Sequence, residues 1–225
     1  IEESIERVIA GPERKSRLIN PKEKKIIAYH EVGHAIVSSV IPEADPVQKV
    51  SIISRGMAGG FTLALPVEDI GLNSRKGMMA RMAVLLGGRA AESVMFNDIT
   101  SGASNDLEKV TRIARDMVTR LGMSEKLGPM VYGQKEELVF LGREISEQRD
   151  YSDNVAQTID EEVQKLVNEA YTLAKDILTQ YRDKLIEISE HLLEVETLNK
   201  EEFDALFPPV NEKNQGILVF NGDEA

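Results

Sequence analysis

The chain has 225 residues, 42% of them hydrophobic and 29% charged, with no cysteine and a formal net charge of -11. That length holds one or two domains with a real core, and the composition is that of a soluble globular protein. The acidic balance excludes a nucleic-acid surface, which needs a basic face. The lack of Cys excludes disulfides and cysteine-ligated zinc and fits a reducing compartment. No apolar run approaches a membrane span, no signal peptide is visible and no lysine-rich helix is available to lie on anionic lipid.

The first twenty residues read as the end of something longer. A helical stretch from Glu2 to Ile9 stops at Gly11-Pro12, and the chain opens on Ile1 inside that stretch, so it is expected to be a fragment. Asn20 followed by Pro21 then reads as an N-cap with proline at the first helical position. Ile26, Ile27, His30, His34, Val37 and Val40 recur at three and four residues, which predicts a helix closed by Pro42. The pentapeptide His30-Glu31-Val32-Gly33-His34 lies in its middle.

Two β-type runs follow, Val50 to Ser54 and Phe61 to Leu65, joined by the glycine-rich Arg55 to Gly60 as a predicted hairpin. The remaining periodicity is helical. Ser74 to about Phe96 is one helix, interrupted or closely packed at Gly87-Gly88, and about Ser104 to Leu121 is a second, ending at Gly122. A long helix from about Ser152 to Tyr181 carries a stripe of Val155, Ile159, Val163, Leu166, Val167 and Ala170; shorter ones span about Asp183 to Glu194 and Lys200 to Leu206. From Pro208-Pro209 to Asn221-Gly222-Asp223 the chain reads as a tail with one apolar patch, Ile217 to Phe220. The expected fold class is mainly α, a helical domain with a small β-hairpin or sheet beside the motif helix.

The pentapeptide carries the chemistry. Imidazoles four residues apart lie one above the other on one helical face and can meet a single zinc ion at roughly 2.0–2.1 Å each. The chain has only three His, and two fall in this motif. Glu31 is rotated about 100° from His30, so it is poorly placed as a third ligand but well placed to exchange protons with a water at the metal. A catalytic zinc normally takes three protein ligands. A third His six residues after His34 is ruled out by Val40, and an acid roughly twenty to twenty-five residues on is ruled out because Val47 to Val67 contains none. His191 sits on a polar-faced helix and reads as a surface residue. A distant carboxylate remains: Asp106, in the small-residue loop Thr100-Ser-Gly-Ala-Ser-Asn-Asp106 that opens a helix, with Glu92 and Asp98 as competitors. An Asp at that position also commonly complements a helix dipole, and spacing does not separate the three.

Four stretches taken together, Gly11-Pro-Glu-Arg-Lys-Ser16, Lys24-Lys-Ile-Ile-Ala-Tyr-His-Glu-Val-Gly-His34, Leu85-Leu-Gly-Gly-Arg-Ala-Ala-Glu92 and Thr100-Ser-Gly-Ala-Ser-Asn-Asp106, resemble the peptidase domain of FtsH. FtsH is the membrane-anchored, ATP-dependent zinc protease of bacteria, mitochondria and plastids. The resemblance runs in order from Ile1 to about Phe207. It implies that His30, His34 and Asp106 bind zinc, that Glu31 is the catalytic base, and that Glu92 orients a ligand His. The family usually has Ala where Val32 stands, a change expected to leave ligation undisturbed. The resemblance also implies an organisation: the end of an ATPase domain and linker over 1–20, the zinc peptidase over 21–207 and a tail over 208–225.

The implied activity is zinc-dependent endopeptidase cleavage of unfolded or membrane-extracted polypeptides. The implied assembly is a homo-hexamer whose ATPase ring and membrane segments lie outside a fragment that is itself soluble, on the cytoplasmic, matrix or stromal side. No G-x-x-x-x-G-K-[ST] loop occurs, so ATP is expected to act only through the missing ring, and Gly87-Gly88-Arg89 is a poor phosphate loop. The hairpin offers an edge to which an extended polypeptide can add, around either Ile52 or Thr62, with Gly59, Gly60, Phe61, Thr62 and Leu63 the favoured side. The plain alternatives are a hairpin that only covers the core, and a non-catalytic helical scaffold that keeps the ring interface. The intact His30, Glu31, His34 and Asp106 argue against the second.

Overall fold

A computed structural model describes residues 20–54, 59–66, 72–135, 147–148 and 150–208. The expected helix at Glu2 to Ile9, the Gly11 to Ser16 block, the loop residues Arg55 to Ala58 and the tail from Pro209, with its Ile217 to Phe220 patch, lie outside the described residues.

Helix α1 (Pro21–Val40) begins as the sequence predicts: the Asn20 side chain accepts a hydrogen bond from the Lys22 N–H at 2.9 Å, and Pro21 fills the first turn. From Ala28 to Val40 nearly every residue is buried, because helices on several sides and a small sheet enclose it. Helix α2 (Arg75–Phe96) is capped by Ser74, whose Oγ accepts from the Gly77 N–H, and closes at Asn97 in the left-handed region, φ 51. It runs unbroken through Gly87-Gly88, so these glycines serve close packing. A Cβ on Gly33 would stand 2.6 Å from the Gly87 carbonyl oxygen, and one on Gly87 would stand 2.8 Å from the Gly33 oxygen. Backbone therefore touches backbone where α1 crosses α2.

After a short 3-10 turn (Ser101–Ala103), helix α3 (Ser104–Thr119) ends near Gly122 (φ 60), where the Met123 N–H reaches back to the Met117 carbonyl. Helix α4 (Asp153–Gln180), capped by Ser152, buries Ile159, Val163, Leu166, Ala170, Ala174 and Ile177 against α2 and α3. Helices α5 (Arg182–Val195) and α6 (Lys200–Leu206) complete a mainly α domain, the latter opened by a reciprocal Asn199/Glu202 capping box.

Strands β1 (Val47–Ser51) and β2 (Phe61–Ala64) form the predicted antiparallel hairpin, with Val50 opposite Thr62. Two corrections apply. The first strand lies earlier than the Val50 to Ser54 run, because the Ile52 N–H bonds to the Glu196 carbonyl and the chain leaves the β1–β2 ladder there. A further strand was also not legible in the sequence. Besides a two-residue pair, β3 (Gln134–Lys135) and β4 (Glu147–Gln148), the segment β5 (Thr197–Asn199) adds to β1 and makes the order β2-β1-β5. Strand β1 is therefore central, and the alternative edge around Ile52 is removed. No strand among the described residues pairs with the outer side of β2.

Candidate metal centre

His30 and His34 project from one face of α1, their rings 4.8 Å apart and crossed at 78°. They line a groove of about 990 Å³ together with β2 and the loop before α3. Each ring is held through Nδ1. His34 Nδ1 lies 2.7 Å from the Val84 carbonyl oxygen; a carbonyl can only accept, so this nitrogen carries the proton and a neutral ring presents a bare Nε2. His30 Nδ1 lies 2.7 Å from Oε1 of Glu92, which is buried on α2. Gly88 makes room for this arrangement, since a Cβ there would run into the His30 ring.

Both Nε2 atoms face Asp106 in the first turn of α3, with Oδ2 at 3.7 Å from His30 and 3.4 Å from His34. An ion held tetrahedrally by ligands at about 2.0–2.2 Å separates them by about 3.3–3.6 Å, so Asp106 Oδ2 stands close to that spacing from each ring nitrogen, and the three donor atoms lie within 4.8 Å of one another. Among the described residues this is the one cluster of three or more His, Asp or Glu side chains able to hold a metal ion.

The same buried carboxylate organises both halves. Glu92 Oε2 accepts from the Thr100 N–H at 2.6 Å and Oε1 accepts from the Thr100 hydroxyl at 3.2 Å, so Glu92 orients His30 and pins the loop that delivers Asp106. Lys109 Nζ stands 3.6 Å from the other Asp106 oxygen.

The electrostatics are those of a cation site. Burial disfavours the His30 imidazolium, but the Asp106 carboxylate at 3.7 Å and the hydrogen bond to Glu92 outweigh it and the ring is pushed up to about 10. Burial would raise Asp106, yet the His30 and His34 rings beside its Oδ2 hold its carboxyl well below the usual range. Glu92 is also lowered, its burial outweighed by His30 and Thr100. Positive charge is favoured where the three donor atoms converge.

Glu31 is only 8% exposed and turns towards β2, where the Thr62 hydroxyl lies 2.8 Å from its Oε2.

Peptidase family M41 matches this chain over residues 17–206. The chain belongs to peptidase family M41. The M41 chain is 55% identical over 205 residues to the ATP-dependent zinc metalloprotease FtsH 1 of Thermomicrobium roseum, covering 91% of this chain and 31% of that protein. It is 55% identical over 213 residues to the ATP-dependent zinc metalloprotease FtsH of Thermotoga maritima, covering 94% and 35%. The corresponding protein of Chloroflexus aggregans is 56% identical over 209 residues, covering 91% and 32%. The chain spans about a third of the length of these curated relatives.

In this M41 chain His30, His34 and Asp106 come together, Glu92 stands behind His30 and Glu31 lies one position round the helix. Asp98 is exposed, accepts from the Ile99 N–H at 2.8 Å and is outside the cluster, as is His191 on α5. Val32 is fully buried in the core, so its extra bulk over Ala is taken up by packing. Sequence reasoning missed the Val84 carbonyl, which has no side-chain signature, and the Thr62 contact. Strand alternation alone could have put Thr62 on the same face as Ala64, though not opposite Glu31.

Proposed function

We propose that this chain is the zinc-dependent endopeptidase part of a longer ATP-driven protease. His30 Nε2, His34 Nε2 and Asp106 Oδ2 hold the ion and Glu31 is the base. What supports this most is the spacing of those three donor atoms, 3.4 and 3.7 Å from Asp106 to the two rings, with a carboxylate one residue away. Zinc, when bound, supplies a Lewis acid that polarises the scissile carbonyl and acidifies a water molecule. Glu92 and the Val84 carbonyl keep Nδ1 of each ring protonated, which leaves Nε2 as the donor. Glu31 takes the proton from the attacking water and delivers it to the leaving amine. An unfolded or membrane-extracted polypeptide adds along the outer side of β2 at Gly59 to Leu63 through backbone hydrogen bonds, which tolerate many sequences.

The proposed organisation is the end of an ATPase domain and linker over 1–20, the peptidase over 21–207 and a tail over 208–225. No helix among the described residues is long and apolar enough to cross a membrane. The membrane anchor and the ATPase ring of a homo-hexamer belong to the rest of the longer protein, with this domain on the cytoplasmic, matrix or stromal side. The test uses the intact protein: Glu31→Gln should lower degradation of an unfolded substrate by about 10²- to 10⁴-fold while keeping one zinc per chain. Undiminished degradation, or a wild-type protein that holds no zinc, would refute the reading.

A further inference from the structure

Thr62 is half-buried on β2 opposite Val50, and its Oγ1 lies 2.8 Å from Glu31 Oε2 and 2.9 Å from the Glu31 carbonyl oxygen. A hydroxyl has one proton to give. The carbonyl already accepts within the α1 ladder, whereas the carboxylate offers a charge-assisted bond, so the proton goes to Oε2. Gly60, on the same segment, supplies a second contact. A Cβ there would stand 3.0 Å from Glu31 Cγ, 2.9 Å from Ile27 Cγ2 and 2.7 Å from the Ser51 carbonyl oxygen. Bare backbone at 60 lets the segment lie on the stem of Glu31 while Thr62 holds its head. A glutamate side chain with several free torsions is thereby held at both ends.

We propose that Thr62 is the positioning residue for Glu31, and that the strand receiving the polypeptide thereby also sets where the base stands. The inference rests on the reading of Glu31 as base and of β2 as the receiving edge. The two tasks do not compete, because ladder hydrogen bonds run in the plane of the sheet and side chains stand out of it. Thr62 reaches Glu31 through its side chain while the backbone of β2 meets substrate.

The test compares Thr62→Val, which keeps the shape and loses the hydroxyl, with Thr62→Ser, which keeps the hydroxyl, in the intact protein. For T62V, kcat on an unfolded polypeptide should fall about 10- to 100-fold, with KM within about twofold and zinc content unchanged, while T62S stays within about threefold of wild type. In metal-free protein the Glu31 ¹³Cδ resonance should move in T62V and stay in T62S, and in unmutated protein the Thr62 hydroxyl proton should exchange slowly. An unchanged kcat in T62V beside an inactive E31Q overturns this inference alone. Loss of zinc from T62V, or a freely exchanging Thr62 hydroxyl, does the same. An active E31Q overturns the reading beneath it as well.

Discussion

Replacing Gly33 by Ala tests how the two halves of the site are held together. An added Cβ would stand 2.6 Å from the Gly87 carbonyl oxygen and 2.7 Å from Ala91 Cβ. Both distances fall short of ordinary contact by about 0.8 Å or more. One obstacle is backbone and the other a Cβ fixed to backbone, so neither can swing aside and α2 must move. Overpacking of this kind costs about 3 kcal/mol at the upper end of its usual range, and Ala returns about 1 kcal/mol in helix propensity. The net loss of about 2 kcal/mol should lower the melting temperature by about 4–8 °C in a chain of this size. Val84 and Glu92 both lie on α2, so its retreat lengthens both Nδ1 hydrogen bonds. Zinc affinity should then fall about 10- to 100-fold. Thermal denaturation of the zinc-free protein and competition with a chromophoric chelator read the two effects. Gly77→Ala is the control: its Cβ would meet only Ser74 Oγ, at 3.3 Å, and stability should shift by no more than about 1 kcal/mol. A G33A protein that melts at or above wild type and binds zinc equally well would show that the α1–α2 contact does not hold the site together.

Glu92→Gln removes the charge behind His30 and weakens its hold on Thr100, and should weaken zinc binding about 10- to 100-fold in the same competition assay; unchanged affinity would assign Glu92 a purely structural part. His30, pushed up to about 10, carries a proton at neutral pH when no metal is bound, and zinc must expel it. Calorimetry at pH 8 in buffers of different ionisation heat should therefore find about one proton released per ion. Affinity should weaken as pH falls, by about tenfold per unit below pH 10. A zinc affinity independent of pH between 7 and 9 would contradict this.

What was legible in the sequence was what local spacing controls. Asn20-Pro21, the recurrence of apolar residues and the four-residue step between His30 and His34 act within a few turns of one helix, so α1 and the face that carries both histidines could be read directly. The caps at Ser74 and Ser152 fixed two more helix starts in the same way. Features set by distant partners were not legible. Gly87-Gly88 suits a break or a close approach equally, and only the presence of Gly33 across the interface decides for approach. The extent of β1 depends on β5, a three-residue strand from near the end of the domain with too few residues to alternate visibly. By spacing alone Asp106, Glu92 and Asp98 were equivalent acids, and only the family resemblance singled out Asp106. The fold separates them by burying Glu92 behind His30, leaving Asp98 exposed and bringing Asp106 to both Nε2 atoms.

The most direct test of the His30, His34 and Asp106 site is a crystal structure of the zinc-loaded protein with anomalous data on both sides of the zinc edge. One ion is expected within about 2.0–2.2 Å of His30 Nε2, His34 Nε2 and Asp106 Oδ2, with Glu92 still bonded to His30 Nδ1. An ion coordinated by Glu92 or Asp98 in place of Asp106, or no anomalous peak between the two histidines, would contradict it.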